Sequence, residues 1–357
     1  YLAGTAVASG GLNNVLIGHK AGTAVSTGDE NIAIGNNAGV TIDTGLNNVI
    51  MGTGAGDAFD AERDNVFIGH QCADGAINGA DYCVVIGSEA FKGAATQDGT
   101  VAIGYQSLSA LTSGQKNIAI GYQAQLAQTT GHRNTVIGYG AMKAADGGED
   151  FNTVIGSEAG TGINNDASHD NVIIGKNALQ GGTGTILGNV AVGTSAMASV
   201  VNSNQTGTVA IGSSALNALT DGQYNTAIGF EALKLNESGD KIVAIGYQAG
   251  ENYNPTADYG NSVFVGYNAG QATTTARKAT IIGDLAASAN AMTGHENTVV
   301  GHSAGYELTG GARNTIMGAN ACDAMTTGDD NTAMGESALT TNVSADNNTA
   351  FGANALN

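Results

Sequence analysis

One short stretch of sequence recurs throughout this chain: Asn225-Thr226-Ala227-Ile228-Gly229-Phe230-Glu231-Ala232-Leu233. Residues 31–38 and 331–338 are further copies, and 20 copies occur in 357 residues. Each copy contains an anchor glycine, and successive anchors lie 17 to 20 residues apart, most often 17: Gly18, Gly35, Gly52, Gly69, Gly87, Gly104, Gly121, Gly138, Gly156, Gly175, Gly193, Gly212, Gly229, Gly246, Gly266, Gly283, Gly301, Gly318, Gly335 and Gly352. A fixed period this short is typical of a stacked repeat protein.

The positions around each anchor glycine indicate a β-strand. The residue immediately before the anchor, position −1, is Ile, Val, Met or Phe in all 20 copies, and position −2 is apolar in all 20. Position −3 is Val, Ile or Thr in all 20 copies, a run too short for a helix and rich in β-branched residues. We therefore predict an all-β fold, a parallel β-solenoid (β-roll) of about 20 coils with a period of about 17 residues. It would form one continuous repeat domain over residues 1–357, with a partial coil at 1–13.

Both faces of this strand are apolar. Thr226 and Ile228 share one face and Ala227 points to the other, because side chains alternate along a strand. We expect both faces to be buried, including the Ile residues at position −1. A single coil has one interior and one solvent-facing side, so other copies of the chain are the simplest cover for the second face.

The remaining repeat positions fit tight turns and a side-chain ladder. Position −4 is Asn in 14 copies, and position +3 is Ala in 18. The Asn residues are interpreted as an amide ladder that satisfies turn backbone groups, with a row of ion ligands as the alternative. A weaker apolar patch, such as Leu108 and Leu111, predicts a second, shorter strand. The predicted structural ladder includes Asn31, Asn117, Asn225, Asn331, Ile34, Ile120, Ile228, Gly35, Gly121, Gly229, Gly335, Ala38, Ala124, Ala232 and Ala338.

The repeat resembles those of known fibre proteins. Asn-Thr-Ala-Ile-Gly-x-x-Ala resembles the head repeat of trimeric autotransporter adhesins, in which Ser-Val-Ala-Ile-Gly-x-x-Ser recurs. The longer form that contains Gly121-Tyr122-Gln123-Ala124 or Gly246-Tyr247-Gln248-Ala249 is similar to repeats of phage tail fibres and bacterial surface fibres. The resemblance covers essentially the whole chain, although the period here is longer than in the shortest adhesin heads. It implies a left-handed β-roll that forms a homotrimer around a shared axis.

Composition and charge limit the partners. The net charge is −19, and the 12 Lys and Arg residues are scattered, which argues against nucleic acid and anionic membrane surfaces. No run of about 20 apolar residues is present, so no membrane insertion is expected. We predict no cofactor, no metal, no catalytic residue and no enzyme activity. An acyltransferase-like left-handed β-helix would need three hexapeptides per coil, whereas Ile-Gly occurs once.

Four local features leave alternatives open. Tyr253 and Tyr259, in a longer connection, are candidates for lateral binding of a sugar or protein, against simple loop variation. The acidic residues of segment 57–64 could bind calcium, although their spacing lacks the glycine of a calcium loop. Cys72 and Cys83 could pair or act as apolar fillers. The Thr residues at position −3 in the last five copies form a buried ladder or an ice-binding array.

The sequence thus predicts a structural segment of a trimeric fibre, located extracellularly, on a cell surface or on a virion. Its partners would be copies of itself and an unknown host receptor or glycan. Alternatives are a head-to-tail filament and a lateral-face module that binds ice or a glycan. Because the first and last copies show no capping sequence, we expect the polypeptide to continue or its ends to stack on one another.

Overall fold

The computed structural model describes residues 2–7, 10–75, 79–93, 98–182, 184–200, 204–256 and 260–357. Its Cα positions form two compact units: Tyr1–Asn177 with Thr183–Leu187, and Ala178–Gly182 with Gly188–Asn357. Each unit is a parallel β-solenoid, and the described residues contain no helix. The predicted fold class, an all-β parallel solenoid with a period of about 17 residues, is confirmed.

The strands are short, and nearly all of them occupy positions −3 to −1 of the repeat. The first unit contains β1 (Val15–Ile17), β2 (Ile32–Ile34), β3 (Val49–Met51), β4 (Val66–Ile68), β5 (Val84–Ile86), β6 (Val101–Ile103), β7 (Ile118–Ile120), β8 (Thr135–Ile137), β9 (Thr153–Ile155), β10 (Val172–Ile174) and β11 (Ile186–Leu187). The second contains β12 (Val190–Val192), β13 (Gln205–Thr206), β14 (Val209–Ile211), β15 (Thr226–Ile228), β16 (Val243–Ile245), β17 (Val263–Val265), β18 (Thr280–Ile282), β19 (Thr298–Val300), β20 (Thr315–Met317), β21 (Thr332–Met334) and β22 (Thr349–Phe351).

Successive coils stack in register. In the first unit β1 to β10 pair in chain order, and in the second unit β12 pairs with β14 and the series continues to β22. Between β15 and β16, for example, Ala227 lies opposite Ala244 and Ile228 lies opposite Ile245. Identical repeat positions therefore form straight columns along each unit.

The two faces of the strands are not equally buried within one chain. The side chain at position −2 is buried in all strands of the repeat except β1, with Ala227 and Phe264 completely inaccessible. The side chains at positions −3 and −1 are half-buried or exposed. Ile228 is only half-buried in the single chain, so burial of the Ile column by other copies of the chain stays a prediction.

The second strand predicted around Leu108 and Leu111 is wrong. Both side chains are buried, but the segment runs through turns in which Gln106 and Leu108 have φ of 53° and 49°. Left-handed φ values recur at positions +2 and +4 in the other coils. Backbone hydrogen bonds still join the coils here, since the Leu108 N–H donates to the Ala124 carbonyl at 3.1 Å. The apolar pattern at Leu108 and Leu111 therefore predicted their burial correctly. The backbone of this segment forms its hydrogen bonds with the next coil without adopting a β-strand.

The anchor glycine is required by conformation and by space. Gly138 has a φ of 147°, a region that L side chains rarely adopt. A Cβ atom there would lie 2.2 Å from the carbonyl oxygen of Gly156, the anchor of the next coil. Gly140, two residues later, has a φ of 57°, and the nearest atom to its Cβ position is 3.9 Å away.

These two glycines of one coil give the first prediction. Gly138→Ala should lower the free energy of unfolding by more than about 3 kcal/mol, because backbone must move in two coils. Gly140→Ala should cost only about 1 kcal/mol, the usual cost of a left-handed residue with a Cβ. Urea unfolding followed by circular dichroism measures both. Equal losses would show that coil spacing does not depend on the anchor glycine.

Candidate functional site: the outer strand face and the aromatic columns

The outer strand face comprises the residues at positions −3 and −1 of the strands. In the first unit these are Val15, Ile17, Ile32, Ile34, Val49, Met51, Val66, Ile68, Val84, Ile86, Val101, Ile103, Ile118, Ile120, Thr135, Ile137, Thr153, Ile155, Val172 and Ile174. In the second they are Val190, Val192, Val209, Ile211, Thr226, Ile228, Val243, Ile245, Val263, Val265, Thr280, Ile282, Thr298, Val300, Thr315, Met317, Thr332, Met334, Thr349 and Phe351.

This face is apolar and open to solvent. Every one of its residues is Val, Ile, Met, Phe or Thr, so it carries no charge in a chain whose net charge is −19. None of its residues is buried, and Ile17, Ile245 and Met317 are 57%, 40% and 38% exposed. Scattered surface hydrophobic residues are normal, but contiguous apolar stripes mark interaction sites.

The two units differ at position −3. In the first unit this column is mostly Val or Ile, whereas five consecutive strands of the second unit, β18 to β22, carry Thr in register: Thr280, Thr298, Thr315, Thr332 and Thr349. These Thr residues are half-buried, and Thr349 is exposed. The Thr column belongs to the outer strand face, so a buried Thr ladder stays a prediction that requires another chain as cover.

The Asn residues at position −4 link successive coils. Asn48 is fully buried, its Nδ2 donates to the carbonyl of Glu62 at 2.8 Å, and its Oδ1 accepts the Asn65 backbone N–H at 3.0 Å. The predicted ladder residues Asn31, Asn117, Asn225 and Asn331 each make the same pair of bonds to the following coil. Each amide donates to a turn carbonyl and accepts from a backbone N–H, so its donor and acceptor face protein groups rather than an ion.

The other predicted ladder residues divide between interior, corner and surface. The Ala residues at position +3, Ala38, Ala124, Ala232 and Ala338, are fully buried. The anchors Gly35, Gly121, Gly229 and Gly335 have φ of 140°, 140°, 141° and 144°. Ile34, Ile120 and Ile228 are half-buried on the outer strand face. The structure therefore separates these residues into a core column, a corner column and a surface column.

Two columns of stacked aromatic rings follow the anchor glycines at position +1. In the first unit the centroid of Tyr122 lies 5.3 Å from Tyr105 and 5.1 Å from Tyr139. The second unit has the corresponding stack Phe230, Tyr247 and Tyr267, with centroids 5.3 and 5.2 Å apart. All six rings are at least 39% exposed. These columns were not predicted from the sequence, although aromatic residues at one repeat position in three successive copies indicate them.

Amide and carboxylate side chains at position +2 run beside the aromatic residues. Gln123 donates to Oε1 of Gln106 at 2.8 Å, and Gln106 donates to Oε2 of Glu89 at 2.8 Å. Gln248 donates to Oε2 of Glu231 at 2.7 Å. A hydrogen bond from Lys234 to the Glu231 carboxylate lowers the pKa of Glu231 below its usual value. Beside each aromatic column, the polar side chains at position +2 are therefore joined to one another by hydrogen bonds between coils.

Tyr253 is a core residue and not a lateral binding residue. Its side chain is fully buried, with its ring 4.9 Å from that of Phe264. Its hydroxyl lies 3.2 Å from the carbonyl oxygen of Gly260 and 3.0 Å from Oγ of Ser262. Burial raises its pKa to about 12. An aromatic residue in a longer connection gave no indication that the ring would turn inward. Tyr259 lies outside the described residues.

The cysteines are core residues. Cys72, Cys83 and Cys322 are buried thiols that form no disulfide, and Sγ of Cys83 lies 3.5 Å from the carbonyl oxygen of Asp81. Burial raises the pKa of Cys72 and Cys322 to about 12 and that of Cys83 to about 11, which keeps the thiols protonated and unreactive at neutral pH. The alternative of a Cys72–Cys83 disulfide is therefore wrong.

The acidic residues of segment 57–64 do not converge on one point. Glu62 is buried, and its two carboxylate oxygens accept the backbone N–H groups of Asp60 and Gly79 at 2.8 and 2.7 Å. Among the described residues, the acidic group with metal-ligand spacing lies elsewhere and consists of Asp146, Glu149 and Asp166. Sequence spacing could not identify it, because Asp166 comes from the following coil.

Comparisons with known proteins leave the function open. No protein-family model matches the sequence, and no curated protein matches it either. Across the described residues, no helix has the length and apolar character needed to cross a membrane.

The Asn ladder gives the second prediction. Asn48→Ala should lower the free energy of unfolding by about 3 kcal/mol, because it leaves the Glu62 carbonyl and the Asn65 N–H buried without their partner. Asn252→Ala, at a half-buried turn position, is the matched control and should cost less than about 1 kcal/mol. Urea unfolding measures the difference. A tolerated Asn48→Ala would mean that water replaces the amide.

Proposed function

We propose that this chain is a structural segment of an extracellular or virion-associated fibre in which copies of the chain assemble through their outer strand faces. The observation that carries the proposal is the uncharged, apolar and solvent-accessible column pair that runs along each unit. At about 4.8 Å between strands, ten strands extend this stripe over about 43 Å in each unit. Monomeric soluble proteins rarely leave so long an apolar stripe uncovered.

A second copy of the chain suits this surface. The side chains of the outer strand face recur once per coil, so a copy in the same orientation offers the same spacing and can interdigitate with it. The carboxylates that make the chain strongly acidic lie outside this face, so contact there avoids bringing like charges together. The resemblance to trimeric fibre repeats makes a homotrimer around a shared axis the preferred assembly.

The mechanical role follows from such an assembly. Each coil is joined to the next by strand, turn and Asn side-chain hydrogen bonds, and the outer faces of the copies would form a common apolar core. A segment of this kind resists bending and holds whatever it carries away from the surface to which it is attached. Adhesion or host recognition is the use that we propose for it.

The assembly proposal gives the third prediction. Ile228→Asp combined with Ile245→Asp should weaken association of the chains at least tenfold, so that the trimer dissociates into monomers. The reason is that two charges per chain would enter the shared apolar core. Light scattering should give three times 35.4 kDa for the parent chain and 35.4 kDa for the variant. Circular dichroism should show that the variant retains its β-structure, since both positions are accessible in the single chain.

Two controls make this test specific. Tyr224→Asp adds a charge in the coil of Ile228 but outside the outer strand face, at a left-handed position that is Asp in other coils, such as Asp64. It should leave the trimer intact. Ala227→Asp places the charge in the interior and should unfold the chain. A parent chain that remains at 35.4 kDa at all concentrations would contradict the proposal.

Lateral binding of a glycan is a second candidate function, and the aromatic columns favour it. Tyr139 and Tyr267 end their stacks, because the next coils carry Ser157 and Asp284 at position +1. They are also the most exposed rings of the two stacks, at 56% and 53%. A sugar ring could extend either stack by packing on the uncovered face of the last aromatic ring.

The glycan candidate gives the fourth prediction. Tyr139→Ala combined with Tyr267→Ala should lower the affinity for any glycan bound on an array by about tenfold, whereas Tyr224→Ala, which removes an equally exposed ring outside the stacks, should not. Unchanged binding would remove the aromatic columns from consideration. Thermal hysteresis in solutions of the parent chain would instead favour ice binding by the Thr residues of the outer strand face.

A further inference from the structure

Three carboxylates from two successive coils meet in the first unit. Asp146 and Glu149 lie between β8 and β9, and Asp166 lies between β9 and β10. One carboxylate oxygen of each residue lies within 4.8 Å of the others. Among the described residues, none of the three forms an ion pair with Lys, Arg or His. The cluster therefore concentrates negative charge with no protein cation against it.

Glu149 is the buried member of the cluster. Its side chain is fully inaccessible, whereas Asp146 and Asp166 are exposed. Its Oε2 accepts the Gly147 backbone N–H at 3.1 Å and lies 3.4 Å from Nε2 of Gln128. Its Oε1 has no hydrogen-bond partner. A buried carboxylate oxygen without a partner is costly and is rarely retained unless something else satisfies it.

Glu62 shows what a satisfied carboxylate looks like at the same repeat position. Glu62 and Glu149 both lie seven residues before an anchor glycine, and both are buried. Each accepts a backbone N–H from the residue two positions earlier. The second oxygen of Glu62 also accepts a backbone N–H, from Gly79 in the following coil. For Glu149, the group from the following coil that lies near its carboxylate is not a backbone N–H but the carboxylate of Asp166.

The interior beside Glu149 is unusually polar. Gln125 and Gln128 occupy the repeat positions at which Leu108 and Leu111 fill the preceding coil. Both Gln residues are fully buried, and Nε2 of Gln125 lies 3.3 Å from Oε1 of Gln128. Gln128 in turn donates to Gly147 and contacts Glu149. The coil that precedes Glu149 has therefore replaced apolar core residues with amide side chains, one of which contacts the buried carboxylate.

Electrostatics penalise the bare cluster. Burial raises the pKa of Glu149, backbone hydrogen bonds partly oppose this effect, and the nearby carboxylates of Asp146 and Asp166 add a smaller increase. The ionised form of Glu149 is therefore disfavoured unless a positive charge is added. Either a proton or a metal ion can supply that charge.

We propose that Asp146, Glu149 and Asp166 bind one divalent cation of the hard, oxygen-preferring class, with Ca²⁺ as the best fit. Ca²⁺ accepts about six to eight oxygen ligands at about 2.3–2.6 Å in flexible geometry, so three carboxylate oxygens within 4.8 Å of one another can bind one ion. Mg²⁺ demands near-ideal octahedral geometry and is usually held by only one or two carboxylates, so a set of three carboxylates favours Ca²⁺. The exposed side of the cluster leaves room for water as the remaining ligands.

A cation at this point would join two successive coils. Asp146 and Glu149 belong to one coil and Asp166 to the next, so the ion would act as a cross-link between two coils, next to the coil whose interior contains Gln125 and Gln128. It would give Oε1 of Glu149 its missing partner. The stability of the first unit would then depend on the cation concentration, because a ligand that binds only the folded state stabilises it by mass action.

Calcium titration of the EDTA-treated full-length chain tests the proposal. We expect calorimetry with CaCl₂ to show one site per chain in the micromolar to millimolar range, with a higher unfolding temperature when calcium is bound. Asp166→Asn should weaken calcium binding by about tenfold or more, as should Glu149→Gln. Asp166 is exposed, so Asp166→Asn should fold even if Glu149→Gln does not. Glu62→Gln, at the matching position of another coil, should leave calcium affinity unchanged.

Two results would overturn the proposal. One is a parent chain that binds no calcium at millimolar concentration while its circular dichroism shows a folded solenoid. The other is Asp166→Asn with the affinity of the parent, which would place any calcium site elsewhere. Magnesium titrated under the same conditions should bind more weakly, and a stronger response to magnesium would contradict the assignment to Ca²⁺.

Discussion

The close approach of successive anchor glycines is the constraint on which the rest of this structure depends. At Gly138 a Cβ atom would lie 2.2 Å from the carbonyl oxygen of the anchor in the next coil, and other anchors are equally close. Coils can stack this tightly only if the corner position has no side chain and can adopt a φ near 140°. In-register strands, the Asn ladder and the turn hydrogen bonds all require that spacing.

The same constraint arranges side chains into columns with different tasks. Position −2 and the Ala residues at position +3 fill a thin interior, and position −4 satisfies turn backbone groups. Positions −3 and −1 are directed outward and form an apolar face that a single chain leaves uncovered. Because the coils stack in register, a side-chain type that recurs once per coil forms a continuous column on the surface. This is why the aromatic rings form stacked columns and the Thr residues form a row.

Departures from the repeat identify the places where something other than stacking is needed. Most coils hold apolar side chains where one coil has Gln125 and Gln128, and Glu149 lacks the second backbone partner that Glu62 has. Tyr253 is the opposite kind of departure, because a longer connection turned its ring inward and gave its hydroxyl two partners within the chain. Burial and hydrogen-bond satisfaction separate the two cases, since one leaves a polar atom unpaired and the other does not.

The sequence by itself determined the period, the position of the strands, the glycine corners and the Asn column, because each depends on local residue chemistry repeated at fixed spacing. Only the tertiary structure decided which strand face is internal, since Ala227 and Ile228 are both apolar and alternation alone gives two equivalent faces. It also decided that the segment around Leu108 forms left-handed turns and that Asp166 meets Glu149, because contacts between coils depend on how one coil lies on the next.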